Sequence, residues 1–193
     1  VAGAAAADCP TALGAGVRLS TGDGALVLEL RPAGPGLIAE RRQDDRPDTP
    51  EGIRRAERTV ALGMIGLEVR GANWARVTFG RDLGALGLLG KTLLWESPLT
   101  VEVGALGGPA TAVSTGRQSV SYLGTVTRRL GGCSYAAWHL EHRRELAIPG
   151  RDPALQTFQQ WWAPALGVAI GLTDPVPQGL GPDIPFARIE ALD

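Results

Sequence analysis

Few residues in this chain have the type and spacing to do chemistry. Gly84-Ala85-Leu86-Gly87-Leu88-Leu89-Gly90-Lys91-Thr92 ends in Gly-Lys-Thr, as a phosphate-binding loop does. That loop needs a glycine five positions before its second glycine, so that backbone amides can wrap a phosphate, and a helix after it. Ala85 holds the position, and residues 92–103 contain Pro98 and then alternate like a strand. This argues against nucleotide binding. His139 and His142 are the only histidines. On a helix they would share a face and suit zinc; on a strand they point to opposite faces and cannot hold one ion. Ala136, Trp138 and Leu140 alternate with Ala137, His139 and Glu141, which favours the strand and reads both histidines as solvated polar residues. No Gly-x-Ser-x-Gly elbow is present, and Asp44, Asp45, Glu51, Glu57 and Glu68 are scattered without a paired acid and base. The expectation is a non-enzyme with no catalytic residue, no metal and no cofactor.

The aromatic and leucine pattern says more. Trp74, Trp95, Trp138, Trp161 and Trp162 are half of the chain's ten Phe, Trp and Tyr side chains. Trp161 and Trp162 are adjacent, so on a strand they face opposite sides. One can enter the core while the other meets solvent, a groove or a partner; alternatively both are covered, one by the core and one by the Pro-rich tail. Residues 80–90 carry Leu83, Leu86, Leu88 and Leu89 among four glycines. This reads as a flexible apolar segment, either a lid over a lipid-binding groove, a membrane contact, or a plug closing the end of the sheet. Trp95, Trp138, Trp161, Trp162, Leu83, Leu86, Leu88 and Leu89 are therefore the candidate ligand contacts.

The elements that would hold them are strands. Leu26, Leu28 and Leu30 alternate with Val27, Glu29 and Arg31 after the turn Gly22-Asp23-Gly24; Ile65, Leu67 and Val69, then Ala75, Val77 and Phe79, then Leu99, Val101 and Val103 repeat the pattern. Residues 44–52 predict an exposed charged loop, and Pro175 to Pro185 a Pro- and Gly-rich tail wrapped on the surface. Residues 135–146 also suit a helix by composition. Many short strands with regular turns predict a mainly β, single-domain curved antiparallel sheet or half-open barrel over residues 9–193.

Compartment is read from the ends and the cysteines. Residues 1–8 run through Ala4 to Ala7 and resemble the remnant of a signal peptide around its cleavage site. Asp8 stands where acylation of Cys9 would need a small residue, which favours a Cys9–Cys133 disulfide over a lipid anchor, with two free thiols as the alternative. The 193 residues carry a net charge of −1 with interspersed signs, which excludes a nucleic-acid-binding face. No apolar run approaches the roughly 18 residues of a transmembrane helix.

Tyr122-Leu123-Gly124-Thr125-Val126-Thr127, then Gly131-Gly132-Cys133-Ser134-Tyr135-Ala136-Ala137-Trp138, then Trp161-Trp162-Ala163-Pro164-Ala165-Leu166-Gly167-Val168 resemble uncharacterised bacterial periplasmic proteins. Some of these look like the lipoprotein-carrier fold, a curved half-barrel over an apolar groove. The resemblance covers residues 120–173, consists mostly of turn chemistry and transfers no functional residue. It implies a periplasmic or secreted bacterial protein that binds or carries an apolar, lipid-like molecule. The rival expectation is a structural or interaction module, with an envelope protein as partner and a filled core; a hydrolase with a hidden site is the weakest.

Overall fold

A computed structural model describes residues 8–49, 54–177 and 179–193. Residues 1–7 of the expected leader at residues 1–8, residues 50–53 at the end of the expected charged loop and residue 178 of the tail lie outside the described residues. The strands are β1 (Val17–Thr21), β2 (Leu26–Gly34), β3 (Leu37–Asp44), β4 (Arg55–Ala61), β5 (Ile65–Arg70), β6 (Asn73–Phe79), β7 (Leu94–Ala105), β8 (Ala110–Leu130), β9 (Cys133–Ala147), β10 (Ala154–Ala163), β11 (Val168–Pro177), β12 (Gly179–Asp183) and β13 (Phe186–Ala191). They form one antiparallel sheet in the order β12-β11-β10-β9-β8-β7-β6-β5-β4-β3-β2-β1-β13. The two edge strands do not pair, so the curved sheet is not closed into a barrel. No helix among the described residues is long and apolar enough to cross a membrane.

Alternation decides the faces. In β2, Leu26, Leu28 and Leu30 are buried while Glu29 and Arg31 point the other way. The curved sheet folds its apolar face onto itself. Leucines of β1 and β2, with Ile38 and Val60, meet Leu130, Tyr135, Ala137, Trp161, Val168 and Ile170 from the later strands. The contact is tight at the β4–β5 turn. Gly63 has φ +64, and a Cβ there would lie 2.2 Å from the carbonyl oxygen of Gly167.

Three sequence expectations are corrected. Residues 80–90 are not a loose segment: Leu83–Leu88 form a 3-10 turn that runs into a one-turn helix, α1 (Leu89–Thr92). Asp82 starts it by accepting a hydrogen bond from the Gly84 amide, and burial of Leu86 and Leu89 outweighs the low helix propensity of glycine. The Pro-rich tail does not simply wrap the surface. It extends β11 to Pro177 and returns as β12, with a register shift between Thr173 and Pro175 that accommodates a residue lacking an N–H. The tail then ends in β13, which pairs with β1. Finally, Asp44 belongs to β3 and is fully buried, not part of an exposed loop, because two arginines neutralise it. Residues 135–146 are strand, within β9.

Candidate functional site

Six of the eight candidate contacts meet. Leu86, Leu89 and Trp95 form a second buried cluster with Met64, Ile65, Val120 and Leu140, and Leu83, Trp138 and Trp162 pack against it. Trp161 joins the first cluster instead, since it is adjacent to Trp162 on β10 and faces the opposite way. Leu88 is exposed.

The second cluster is held in place by its own polar edges. Trp138 and Trp162 are opposite one another on β9 and β10, with ring centroids 4.9 Å apart. The Trp162 indole N–H donates to the Leu62 carbonyl at 2.9 Å, and the Trp95 N–H to that of Asp82 at 3.3 Å. A Cβ on Gly90 would lie 3.1 Å from the Trp138 ring, so α1 rests directly on it. Within the leucine segment, Leu86 and Leu89 pack inward as a plug does, while Leu88 stays exposed. Trp161 is covered from another direction: the Arg128 guanidinium lies 4.1 Å from its ring centroid and bridges to Asp183 of β12, while the His139 ring stacks on it at 5.1 Å.

On the same inner face, beyond these tryptophans, a directed chain of hydrogen bonds crosses the interior. Arg144 Nε donates to Gln118 Oε1 at 3.0 Å, and Gln118 Nε2 approaches His142 Nδ1 at 3.4 Å. His142 Nε2 lies 2.9 Å from Gln160 Oε1, and Gln160 Nε2 donates to the Gly63 carbonyl at 3.4 Å. The order of donors assigns His142 as the neutral tautomer with its proton on Nε2. Its ring stacks on Phe158 at 4.6 Å and is fully buried. Burial, and secondarily the charge of Arg144, hold the imidazole pKa down to about 3, against the hydrogen bond that His142 donates to Gln160. The expectation of two solvated histidines therefore fails for His142. Its flanking amides lie 24 residues before and 18 residues after it in the chain.

A second polar group ties the β3–β4 connection to β11. Asp44 pairs with Arg42 and Arg46, and Arg46 reaches Asp174 at 2.7 Å. Burial alone would raise the Asp44 carboxyl, but the hydrogen bonds from Arg46 and Arg42 outweigh it and hold the pKa well below the usual range. Sequence reasoning passed over this set because its members look like ordinary surface charges; the two-residue spacing of Arg42 and Asp44 on one strand face was the available signal.

The chemical capacity of these groups is narrow. Among the described residues no three of His, Cys, Asp and Glu gather as a metal site. His142 is committed to the side-chain amides of Gln118 and Gln160. A small, partly open void between the two halves of the sheet, lined by Leu28, Ile38, Val60 and Val168 with Glu40 and Gln160, holds about 20 Å³. That is room for one water, against the several hundred Å³ of a ligand pocket. Two wider concavities, of about 450 and 480 Å³, are open and lined by charged side chains such as Glu29, Arg41, Glu57 and Arg70, and a third, of about 370 Å³ and also open, is lined by Leu67, Val77, Phe79 and Leu83 with Glu68, Arg76 and Arg81.

Several of the exposed leucines gather at one corner, while Leu106 and Leu180 are exposed elsewhere. Leu93, between α1 and β7, has φ +63 and is 58 % exposed. Leu88, Leu94 and Leu123 are each about half exposed. Leu94 is opposite Ser121, and the Tyr122 amide donates to the Leu93 carbonyl at 2.8 Å, which brings Leu123 to the same corner.

Comparison with known proteins gives distant structural likenesses, among them two to bacterial proteins. One is to the hypothetical lipoprotein YmcC from Escherichia coli K12, with 13% identity and a TM-score of 0.48, over 92% of this chain and 85% of that one. The other is to a protein from Bacteroides fragilis, described as exported and as having a YmcC-like fold, with 11% identity and a TM-score of 0.34, over 91% and 93% of the two chains. No family model matches the sequence. A search of curated proteins finds no match.

Proposed function

We propose that this protein is a non-catalytic module of the bacterial envelope that acts by surface contact with a lipid-like, apolar partner. The observation that carries this reading is Leu93. A branched apolar residue in the left-handed region costs about 1–2 kcal/mol, and here the cost is not repaid by burial. Leu88 and Leu94, near it in the chain, and Leu123, next to the Tyr122 whose amide donates to the Leu93 carbonyl, are also about half exposed. No carboxylate occurs in residues 83–95, and Lys91, the single lysine of the chain, stands in the last turn of α1. An apolar corner with a lone cation suits the interface of an anionic lipid surface. The filled interior favours contact at the surface over carriage in a groove. The disulfide favours an oxidising compartment, in keeping with a periplasmic or secreted location.

The test uses Leu93→Gly. Glycine removes both the strain and the apolar side chain, so the variant should melt at or above the wild-type temperature yet bind less to vesicles containing phosphatidylglycerol in a flotation assay. Equal flotation of wild type and variant, or no flotation of either, would defeat the reading. Native mass spectrometry of protein from its source organism supplies the counter-test: a stoichiometric lipid retained after detergent-free purification would return the function to a carrier.

A further inference from the structure

The solvent face of the sheet carries a row of alternating charge that is exact in register. Glu190 is opposite Arg18, Arg18 opposite Glu29, Glu29 opposite Arg41, Arg41 opposite Glu57, and Glu57 opposite Arg70. The row therefore runs Glu-Arg-Glu-Arg-Glu-Arg across β13, β1, β2, β3, β4 and β5, about 24 Å at the usual strand spacing. Within the chain the pairing is uneven. Arg18 and Glu29 are 2.6 Å apart, but Arg41 and Glu57 are 3.5 Å apart and both largely exposed, and Arg70 turns to Glu68 on its own strand. Opposite charges placed face to face across neighbouring strands would be satisfied by intramolecular pairs alone if all closed. Half of this row stays open to solvent.

An even-numbered alternating row is self-complementary when reversed. We propose that this face docks on the same face of a second copy of the chain, about a two-fold axis parallel to the strands and passing between β2 and β3. That rotation reverses the row. Glu29 then faces Arg41 of the partner subunit, Arg18 faces Glu57 of the partner subunit, and Glu190 faces Arg70 of the partner subunit. The alternative in-plane axis, perpendicular to the strands, leaves the row unreversed and sets Glu against Glu and Arg against Arg, so charge selects one of the two isologous arrangements. The flanking rows are compatible with it. Val27, opposite Gln43 within the chain, meets the same glutamine across the axis, and Ser20 meets Arg55, so no like charges are opposed. The open concavities of about 450 and 480 Å³ between these side chains leave space for the partner's arginines to interdigitate.

Two variants separate this dimer from a purely intramolecular ladder. Arg41→Glu puts carboxylates side by side both within the chain and across the axis. The swap Glu29→Arg with Arg41→Glu spoils the intramolecular order, placing Arg beside Arg18 and Glu beside Glu57, but remains self-complementary across the axis. Sedimentation velocity is read at about 0.01 M and about 1 M salt, where the screening length falls from about 30 Å to about 3 Å. The expected result is a wild-type dimer at low salt that dissociates at high salt, a monomeric Arg41→Glu, and a dimeric swap. A monomeric wild type at low salt, a dimeric Arg41→Glu, or a swap that is monomeric while its circular dichroism matches wild type would each overturn the proposal. The outer swap, Glu190→Arg with Arg70→Glu, keeps the same complementarity and serves if the central swap fails to fold; a folded monomer there would also overturn it.

Discussion

His142 makes the interior sensitive to acid. Its imidazole is held at about 3 when folded, against about 6.5 in an unfolded chain, so between those values the unfolded state binds more protons. Stability is complete above pH 6.5 and falls as pH drops, by about 1.4 kcal/mol per unit, until the folded pKa is reached. Asp44 is also depressed, but a carboxylate loses its contribution only below its unfolded pKa near 3.8, so the window from pH 6.5 to 4.5 belongs to the histidine. Unfolding free energies from urea titrations at pH 7 and pH 5 should differ by about 2 kcal/mol for the wild type. In His142→Gln the difference should largely vanish, on a lower absolute stability, because there is no longer a ring whose protonation sets an Nδ1–H against the Gln118 N–H donor. The placement of His142 on a strand was legible in the alternation around Trp138 and Leu140. Its burial was not, because the two amides that satisfy it come from β8 and β10 and share no sequence signal with it.

Hairpins and turns carry the next level of determination. Alternating runs located β2, β5, β6 and β7 well, since one buried face imposes a period of two. The segment 83–92 was misread because its glycines were counted as flexibility, whereas Gly90 is needed for α1 to approach the Trp138 ring. The β11–β12 return was missed because Pro175 and Pro177 counted against a strand, and the register shift beside Pro175 is a tertiary accommodation. The β4–β5 turn is the element on which curling depends. Gly63 combines positive φ with contact at the Gly167 carbonyl, and its own carbonyl and that of Leu62 receive Gln160 and Trp162. Gly63→Ala should therefore destabilise by about 2–4 kcal/mol, the sum of left-handed strain and overpacking. Gly167→Ala has a similar φ of +68 but open space around the added Cβ, and should cost only the strain, about 1 kcal/mol. Chemical denaturation of the two variants distinguishes them; equal losses would mean that the turn contact contributes nothing.

At the scale of the whole chain, topology makes the disulfide matter more than its position suggests. Every strand but the edge strands pairs with its sequence neighbours, except that β1 also takes β13 from the far end of the chain. Such a meander lacks local ties between its first and last thirds. The sheet supplies one through β1–β13, and the first apolar cluster supplies another. The Cys9–Cys133 bridge is a third, spanning 124 residues, and the Tyr135 hydroxyl donates to the Pro10 carbonyl at 3.0 Å beside it. Closing a loop of that length removes enough freedom from the unfolded chain to stabilise by about 4–5 kcal/mol in the chain-entropy model. Cys133 is also buried within the first cluster, so replacing it would add a packing loss. Cys9 is the cleaner position to change. Cys9→Ser should lower stability by about 3–5 kcal/mol and leave the native sheet intact, since Cys9 itself is exposed and belongs to no strand. Reduction of the wild type with dithiothreitol should reproduce the loss, read as the same downward shift in urea midpoint. If reduced wild type and Cys9→Ser both keep the oxidised midpoint, the sheet and the β1–β13 pairing alone hold the ends together, and the bridge serves some end other than stability.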